Sequence, residues 1–96
     1  MAQDEPLARC RVIIHGRVQG VCFRLNTVRA ATRIGVTGWV KNRPEGTVEA
    51  VFEGGNSELE RIVEWCRVGD PPASVSEIEL TREESTGEFP EFTITY

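Results

Sequence analysis

Residues 12–34 constrain the fold more than any other part of the chain. The apolar run Val12-Ile13-Ile14 leads through Gly16-Arg17-Val18-Gln19-Gly20-Val21-Cys22-Phe23-Arg24 into a segment with helical spacing. A strand that turns through a glycine-containing loop into a helix points backbone N–H groups at one spot. The first helical amides lack partners and the helix macrodipole is positive there, so that spot favours an anion. Arg24 adds a charged planar fork suited to phosphate or carboxylate. The loop reads as an oxyanion cradle. The competing reading is a plain strand-to-helix connection, with glycines at tight turns and arginines in water.

The elements around this loop follow from periodicity. Residues 7–15 read as the first strand, with Cys10, Val12 and Ile14 on one face and Arg11, Ile13 and His15 on the other. Apolar residues on both faces suit a central strand. Residues 23–34 read as the first helix, with Leu25, Val28 and Ala31 or Thr32 as its expected apolar stripe and Gly35 as its C-terminal stop. Residues 36–42 and 47–53 read as a β-hairpin through Arg43-Pro44-Glu45-Gly46, with Val48, Ala50 and Phe52 sharing one face.

Leu59, Ile62, Val63 and Cys66 recur at i, i+3, i+4, i+7, the strongest helical signal in the chain. Ser57 with Glu60 suggests a capping box ahead of them, and the helix is expected to stop by Val68, before Gly69-Asp70-Pro71-Pro72. Residues 75–82 read as a fourth strand, with Ile78 and Leu80 inward and Glu77 and Glu79 in water. Residues 92–96 alternate as a short last strand. The order β-α-β-β-α-β plus a terminal strand is the split β-α-β, ferredoxin-like α+β arrangement: a mostly antiparallel sheet covered on one face by two helices. Ninety-six residues suffice for one such core, so residues 1–96 are expected to form one domain, with residues 1–6 as a loose tail.

Charge narrows the choice of ligand. The net charge is −4, which argues against a general nucleic-acid binder. Its distribution is uneven. Residues 1–48 carry seven arginines and Lys41 against three acids, for +5, and residues 49–96 carry three arginines against twelve acids, for −9. The cradle lies in the basic half, and a local positive field in an acidic protein suits a small anion better than a polyanion. The polar, acidic start is no signal peptide and no apolar run could span a membrane, so the expected location is the cytoplasm. Cys10, Cys22 and Cys66 fit no zinc spacing and are expected to be free thiols, with Cys10 and Cys66 in the core.

Several chemistries are set aside. The loop has neither a Gly-Lys-Ser/Thr ending nor a G-x-G-x-x-G pattern. Cys22 stands too close to Arg24 for a phosphotyrosine-phosphatase loop. His15 is the only histidine, and its strand position favours packing or surface over catalysis. Glu77 and Glu79 read as a solvated face. An RNA-binding sheet would need stacking aromatics on the third strand, which offers only Phe52 beside Glu49 and Glu53. What remains is the loop with Arg24, and Asn42 at the tip of a strand expected to run in the same direction as the first. An uncharged amide there could hold a water in line with a bound phosphorus; the bland reading of Asn42 is a turn residue.

The loop Gly16-Arg17-Val18-Gln19-Gly20-Val21-x-Phe23-Arg24 resembles the signature of the acylphosphatases. Gly38-Trp39-Val40-Lys41-Asn42 with Gly46-Thr47-Val48-Glu49 resembles a second pattern of that family. Gly69-Asp70-Pro71-Pro72-Ala73-Ser74-Val75 and the closing Phe92-Thr93-Ile94-Thr95-Tyr96 are similar as well. The resemblance implies hydrolysis of the carboxyl-phosphate bond of acyl phosphates. It places phosphate binding on Arg24, water positioning on Asn42, and the rest of the cradle on the backbone of Gln19, Gly20, Val21, Cys22 and Phe23. Arg17 is expected to support the loop. The resemblance implies no metal and no cofactor. The expected partner is a small-molecule acyl phosphate, with no nucleic acid and no membrane, for a monomeric chain. The alternative is a non-catalytic module binding an anion or a partner on the same fold.

Overall fold

The structure, a computed structural model, describes residues 6–96. Most of the expected N-terminal tail lies outside the described residues. The elements are β1 (Ala8–Arg17), α1 (Phe23–Ile34), β2 (Thr37–Asn42), β3 (Val48–Gly54), α2 (Asn56–Val68), β4 (Ser74–Glu83) and β5 (Phe92–Ile94). They form one five-stranded sheet in the order β4-β1-β3-β2-β5. Every neighbouring pair is antiparallel except β2 with β5. This is the expected ferredoxin-like α+β fold, with β5 added outside β2.

The core lies between one sheet face and the two helices. Alternation turns Cys10, Val12 and Ile14 of β1 and Val48, Ala50 and Phe52 of β3 to that face, and all six are buried. Leu59, Ile62, Val63 and Cys66 of α2 meet them, as the spacing predicts. Phe23 and Trp65 join the helices with ring centroids 5.4 Å apart, and Phe52 stacks on Phe92 at 5.2 Å. Gly38 (φ 135°) lets β2 approach β3: a Cβ there would lie 1.9 Å from the Val51 carbonyl oxygen. Cys10 and Cys66 are buried free thiols, as expected. Burial pushes both thiols up, Cys10 to about 11, so neither is a nucleophile at neutral pH.

Four expectations need correction. The buried face of α1 is Phe23, Thr27, Ala30 and Ala31, whereas Leu25 is 43% exposed. Phe23 fixes the helix rotation by packing on Trp65, and two residues along the helix turns Leu25 to the far side. Thr27 is tolerated inside because its hydroxyl donates to the Phe23 carbonyl at 2.7 Å. Second, α2 begins at Asn56, and the cap uses Glu58, whose carboxylate accepts from the Gly55 N–H at 3.0 Å, in place of Ser57 with Glu60. Third, Leu80 is 46% exposed, because β4 is an edge strand and α2 covers it incompletely. The last strand also ends at Ile94, although the Thr95 N–H still donates to the Val40 carbonyl.

The opposite sheet face is closed by charges. Register places Arg9 of β1 between Glu53 of β3 and Glu83 of β4. Its guanidinium pairs with both, at 3.4 and 3.0 Å. Arg11 pairs with Glu83 at 2.6 Å and also with Glu49, and its guanidinium lies 5.8 Å from the centroid of Trp39. Glu53 is buried, and accepts from the backbone N–H groups of Thr86 at 2.8 Å and Gly87 at 3.0 Å. Glu53 thereby fastens the segment between β4 and β5 to the sheet. Burial opposes its ionisation, but the two amides and Arg9 outweigh burial and lower its pKa.

Because that pKa lies below the ordinary carboxylate value, Glu53 contributes stability that is fully present above pH 4.5 and is lost as pH falls through its lowered value. Glu53→Gln should lower the unfolding free energy by about 3 kcal/mol at pH 7, since Arg9 then stays half-buried without this partner. The variant should also lose less stability than the parent between pH 5 and 3. Urea titrations at several pH values measure both, and a variant within about 0.5 kcal/mol of the parent at pH 7 would sink the assignment.

Candidate active site

The site forms where β1 leaves the sheet. Pairing with β4 shifts register between His15 and Gly16, so the end of β1 bends out of the ladder. The chain then drops Val18 and Val21 into the core, both nearly fully buried, and these two anchors hold the loop from below. Between them Gly20 takes φ 74°, a left-handed conformation that only glycine adopts at little cost. Cys22 is left-handed too, at φ 62° and ψ 23°, and stands as the N-cap of α1. A residue with a Cβ pays about 1–2 kcal/mol there, so the loop holds some local strain.

The N-terminus of α1 is electrostatically bare. Cys22 makes no side-chain cap bond, and the first turn carries no acidic residue. The positive end of the dipole is therefore left for an external anion. Arg24 follows in the first turn. Among the described residues it makes no ion pair; its guanidinium lies 5.5 Å from the centroid of the Tyr96 ring. Tyr96 is 95% exposed.

The second side of the site comes from the β2–β3 hairpin. β2 runs in the same direction as β1, since each is antiparallel to β3. Asn42 therefore ends at the same edge as the loop. The two are tied together by Gln19, whose side-chain amide donates to the carbonyls of Arg43 at 2.8 Å and Thr47 at 2.9 Å. The turn is closed by the Arg43 N–H donating to the Thr47 carbonyl at 2.9 Å. The Asn42 Oδ1 atom is buried and accepts no hydrogen bond among the described residues. Most buried polar atoms are paired, so an orphan acceptor marks a place where something else donates.

These parts line one cavity of about 330 Å³, bounded by Val18, Gly20, Cys22, Phe23, Arg24, Leu25, Asn42 and Ile94. Of the residues singled out in the sequence, Arg24, Asn42, Gly20, Cys22 and Phe23 meet here. Gln19 and Val21 do not line it with their side chains: Gln19 braces the hairpin and Val21 is core. Val18, Leu25 and Ile94 line it as well, although nothing in their spacing marks them: Leu25 has the spacing of a core stripe and Ile94 that of a terminal strand. His15 sits apart, with Nε2 2.6 Å from Glu79 Oε2.

The arrangement presents a bare helix N-terminus and a guanidinium with no ion pair among the described residues beside a buried, unpaired amide oxygen. Comparison with known proteins gives the family. The family model "Acylphosphatase" matches residues 10–94. The acylphosphatase of Syntrophobacter fumaroxidans is 51% identical over 88 residues, 92% of this chain and 91% of the relative. That of Pelotomaculum thermopropionicum is 47% identical over 89 residues, 93% of this chain and 97% of the relative. The crystal structure of acylphosphatase from Bacillus subtilis superposes with a TM-score of 0.89 at 38% identity, over 95% of this chain and 100% of that one. With the family model over residues 10–94, relatives near half identical and a matching fold, the chain belongs to the acylphosphatase family.

Proposed function

We propose that this chain hydrolyses acyl phosphates to a carboxylate and inorganic phosphate, with Arg24 and the backbone of residues 19–23 holding the phosphate and Asn42 positioning the attacking water. The observation that carries the reading is the buried, unpaired Oδ1 of Asn42 in the same cavity as Arg24 and the bare N-terminus of α1. An anion placed on the cradle neutralises both positive groups. A water between that anion and Asn42 would donate one hydrogen to Oδ1, leaving an oxygen lone pair directed at phosphorus.

The chemistry asks little else of the protein. The leaving group is a carboxylate, stable at neutral pH without a proton from a general acid. Among the cavity residues, no histidine or carboxylate stands ready to take the water's proton. The substrate's own phosphoryl oxygen is then the acceptor. Catalysis consists of alignment and of charge stabilisation as the phosphoryl group transfers. Gln19 contributes indirectly, because its two hydrogen bonds fix the distance between the cradle and Asn42. No step in this reading requires a metal or a cofactor. We read the chain as monomeric and cytoplasmic; the described residues contain no helix long and apolar enough to cross a membrane. Light scattering on the purified chain would measure its mass directly, and a stable dimer would overturn the first of these two readings.

The purified chain should release phosphate from acetyl phosphate with a chelator present. Binding of inorganic phosphate without any release would favour a non-catalytic anion-binding module. Arg24→Ala should lose competitive inhibition by inorganic phosphate together with turnover. Asn42→Ala should keep that inhibition and lose roughly 10²-fold in kcat, the usual cost of removing one oriented polar group from a transition state. Normal turnover by Asn42→Ala would remove the water-positioning role.

A further inference from the structure

The reading of the cradle uses the basic half of the chain and leaves residues 49–96, with their charge of −9, without a task. That acidic half includes β4, the outermost strand of the sheet. β4 pairs with β1 along one edge, and no described strand pairs with its other edge. The outer N–H and C=O groups of such an edge are a template for one more strand. The two faces of this edge differ in chemistry. On the open sheet face Glu77 and Glu79 stand opposite His15 and Ile13 of β1, and both carboxylates are exposed. On the helix face Ile78 and Leu80 stand opposite Ile14 and Val12, and Leu80 is 46% exposed. Beside Leu80 a cavity of about 260 Å³ opens between β4 and α2. Leu59 and Val63 of α2 and the buried Cys10 supply its apolar wall. Its charges are balanced, Glu60 and Glu64 against Arg67 and Arg82, so it favours neither sign.

We infer that the free edge of β4 is a docking site for an extended segment of a partner protein in which basic and apolar residues alternate. The segment adds to the sheet as one more strand. Main-chain hydrogen bonds to β4 hold it, and the alternation selects it. Successive side chains of a strand point to opposite faces, so one set meets the carboxylates of Glu77 and Glu79 and the other covers Ile78 and Leu80 at the cavity. Charges on an edge strand commonly serve to block self-association, and these do block it. In a continuous antiparallel sheet built from two copies of β4, a two-fold axis at Ile78 sets Glu77 against Glu79. An axis at Glu79 sets that residue against itself, and an axis at Leu80 sets Glu77 against Glu83. Like charges directly opposite are destabilising. The carboxylates that disfavour a second copy are those that suit a basic strand. Blocking alone leaves the apolar cavity on the other face unexplained, whereas a strand of alternating chemistry uses both faces. Docking here is independent of the hydrolytic reading above: the cradle opens at the end of β1, and this edge runs along β4.

The probe is the fluorescently labelled peptide acetyl-Thr-Lys-Val-Lys-Val-Lys-Thr-amide, titrated with the full chain and followed by anisotropy, with amide hydrogen exchange measured in parallel. The peptide should bind, and amides of β4 should gain protection. Added salt should weaken binding, because the paired charges are exposed. The double variant Glu77→Lys, Glu79→Lys sets like charges opposite the peptide and should weaken binding about tenfold or more. Leu80→Ser removes apolar contact at the cavity and should weaken it severalfold. All three side chains are exposed, so both variants should keep the parent's circular dichroism. Two further peptides carry backbone N-methyl groups, one on its lysines and the other on its valines. Only one set of N–H groups faces β4, so one of these peptides should lose binding while the other keeps it. Equal behaviour of the two would reduce the effect to charge attraction and overturn the inference. So would no binding at millimolar peptide, or equal binding of acetyl-Thr-Glu-Val-Glu-Val-Glu-Thr-amide. A dimer of the chain whose β4 amides are protected without peptide would give the edge to a second copy and overturn it as well.

Discussion

Strand β1 is hydrogen-bonded along both edges, to β3 and to β4, so side chains of two neighbours flank it on each of its faces. Much of the remaining structure follows from that constraint. One face takes Cys10, Val12 and Ile14 and is covered by the helices, where apolar area leaves water. The other takes Arg9 and Arg11, which cannot be buried alone. The carboxylates of Glu49, Glu53 and Glu83 meet them from the flanking strands. A buried pair of this kind is weak evidence for net stability, but removing one partner is costly because the other charge stays behind. The pairing also does mechanical work. Glu53 uses its remaining acceptor capacity to bind the amides of Thr86 and Gly87, and the segment so fastened leads directly into β5 and Tyr96.

The same constraint places the site. A doubly paired strand is rigid, and its end delivers the cradle to one position above the sheet edge. The loop is then defined by what it cannot satisfy internally. The N-terminus of α1 has no acidic residue and no side-chain cap, Arg24 has no carboxylate among the described residues, and Asn42 Oδ1 has no donor. Each group on its own would be a defect. Gathered around one cavity, with the Gln19 bridge tying the loop to the hairpin, they are the basis of the proposed phosphate site. The left-handed Cys22 belongs to the same pattern, since its strain is borne by packing of Val18, Val21 and Phe23 beneath it.

The mouth of the site shows how one segment can serve two surfaces. In α1, Phe23, Thr27, Ala30 and Ala31 turn inward, and the small alanines let the helix lie close to the sheet. Arg24 and Leu25, one and two residues after Phe23, are thereby turned away from that core toward the cavity. A guanidinium and an apolar side chain thus reach the same cavity from consecutive residues on one turn of helix.

The sequence by itself determined the order of the elements, the inward faces of β1, β3 and α2, and the placing of the glycine loop, Arg24 and Asn42 at one edge of the sheet. Those features depend on local rules: period-2 and period-3.6 patterning, glycine in the loop, and the shared direction of two strands separated by one antiparallel neighbour. The family resemblance sharpened them into a chemistry. Only the tertiary structure decided the rotation of α1, which moved Leu25 from the expected core stripe to the site. It also decided the depth of Glu53, the exposure of Leu80 and the approach of Tyr96 to Arg24. Periodicity states which residues share a face. It does not state which face is covered, because covering is done by elements far away in the chain. Glu53 reads as a surface charge until Thr86 and Gly87, more than thirty residues later, fold over it. Tyr96 reads as the end of a strand until the parallel pairing of β5 with β2 brings it beside the helix that carries Arg24.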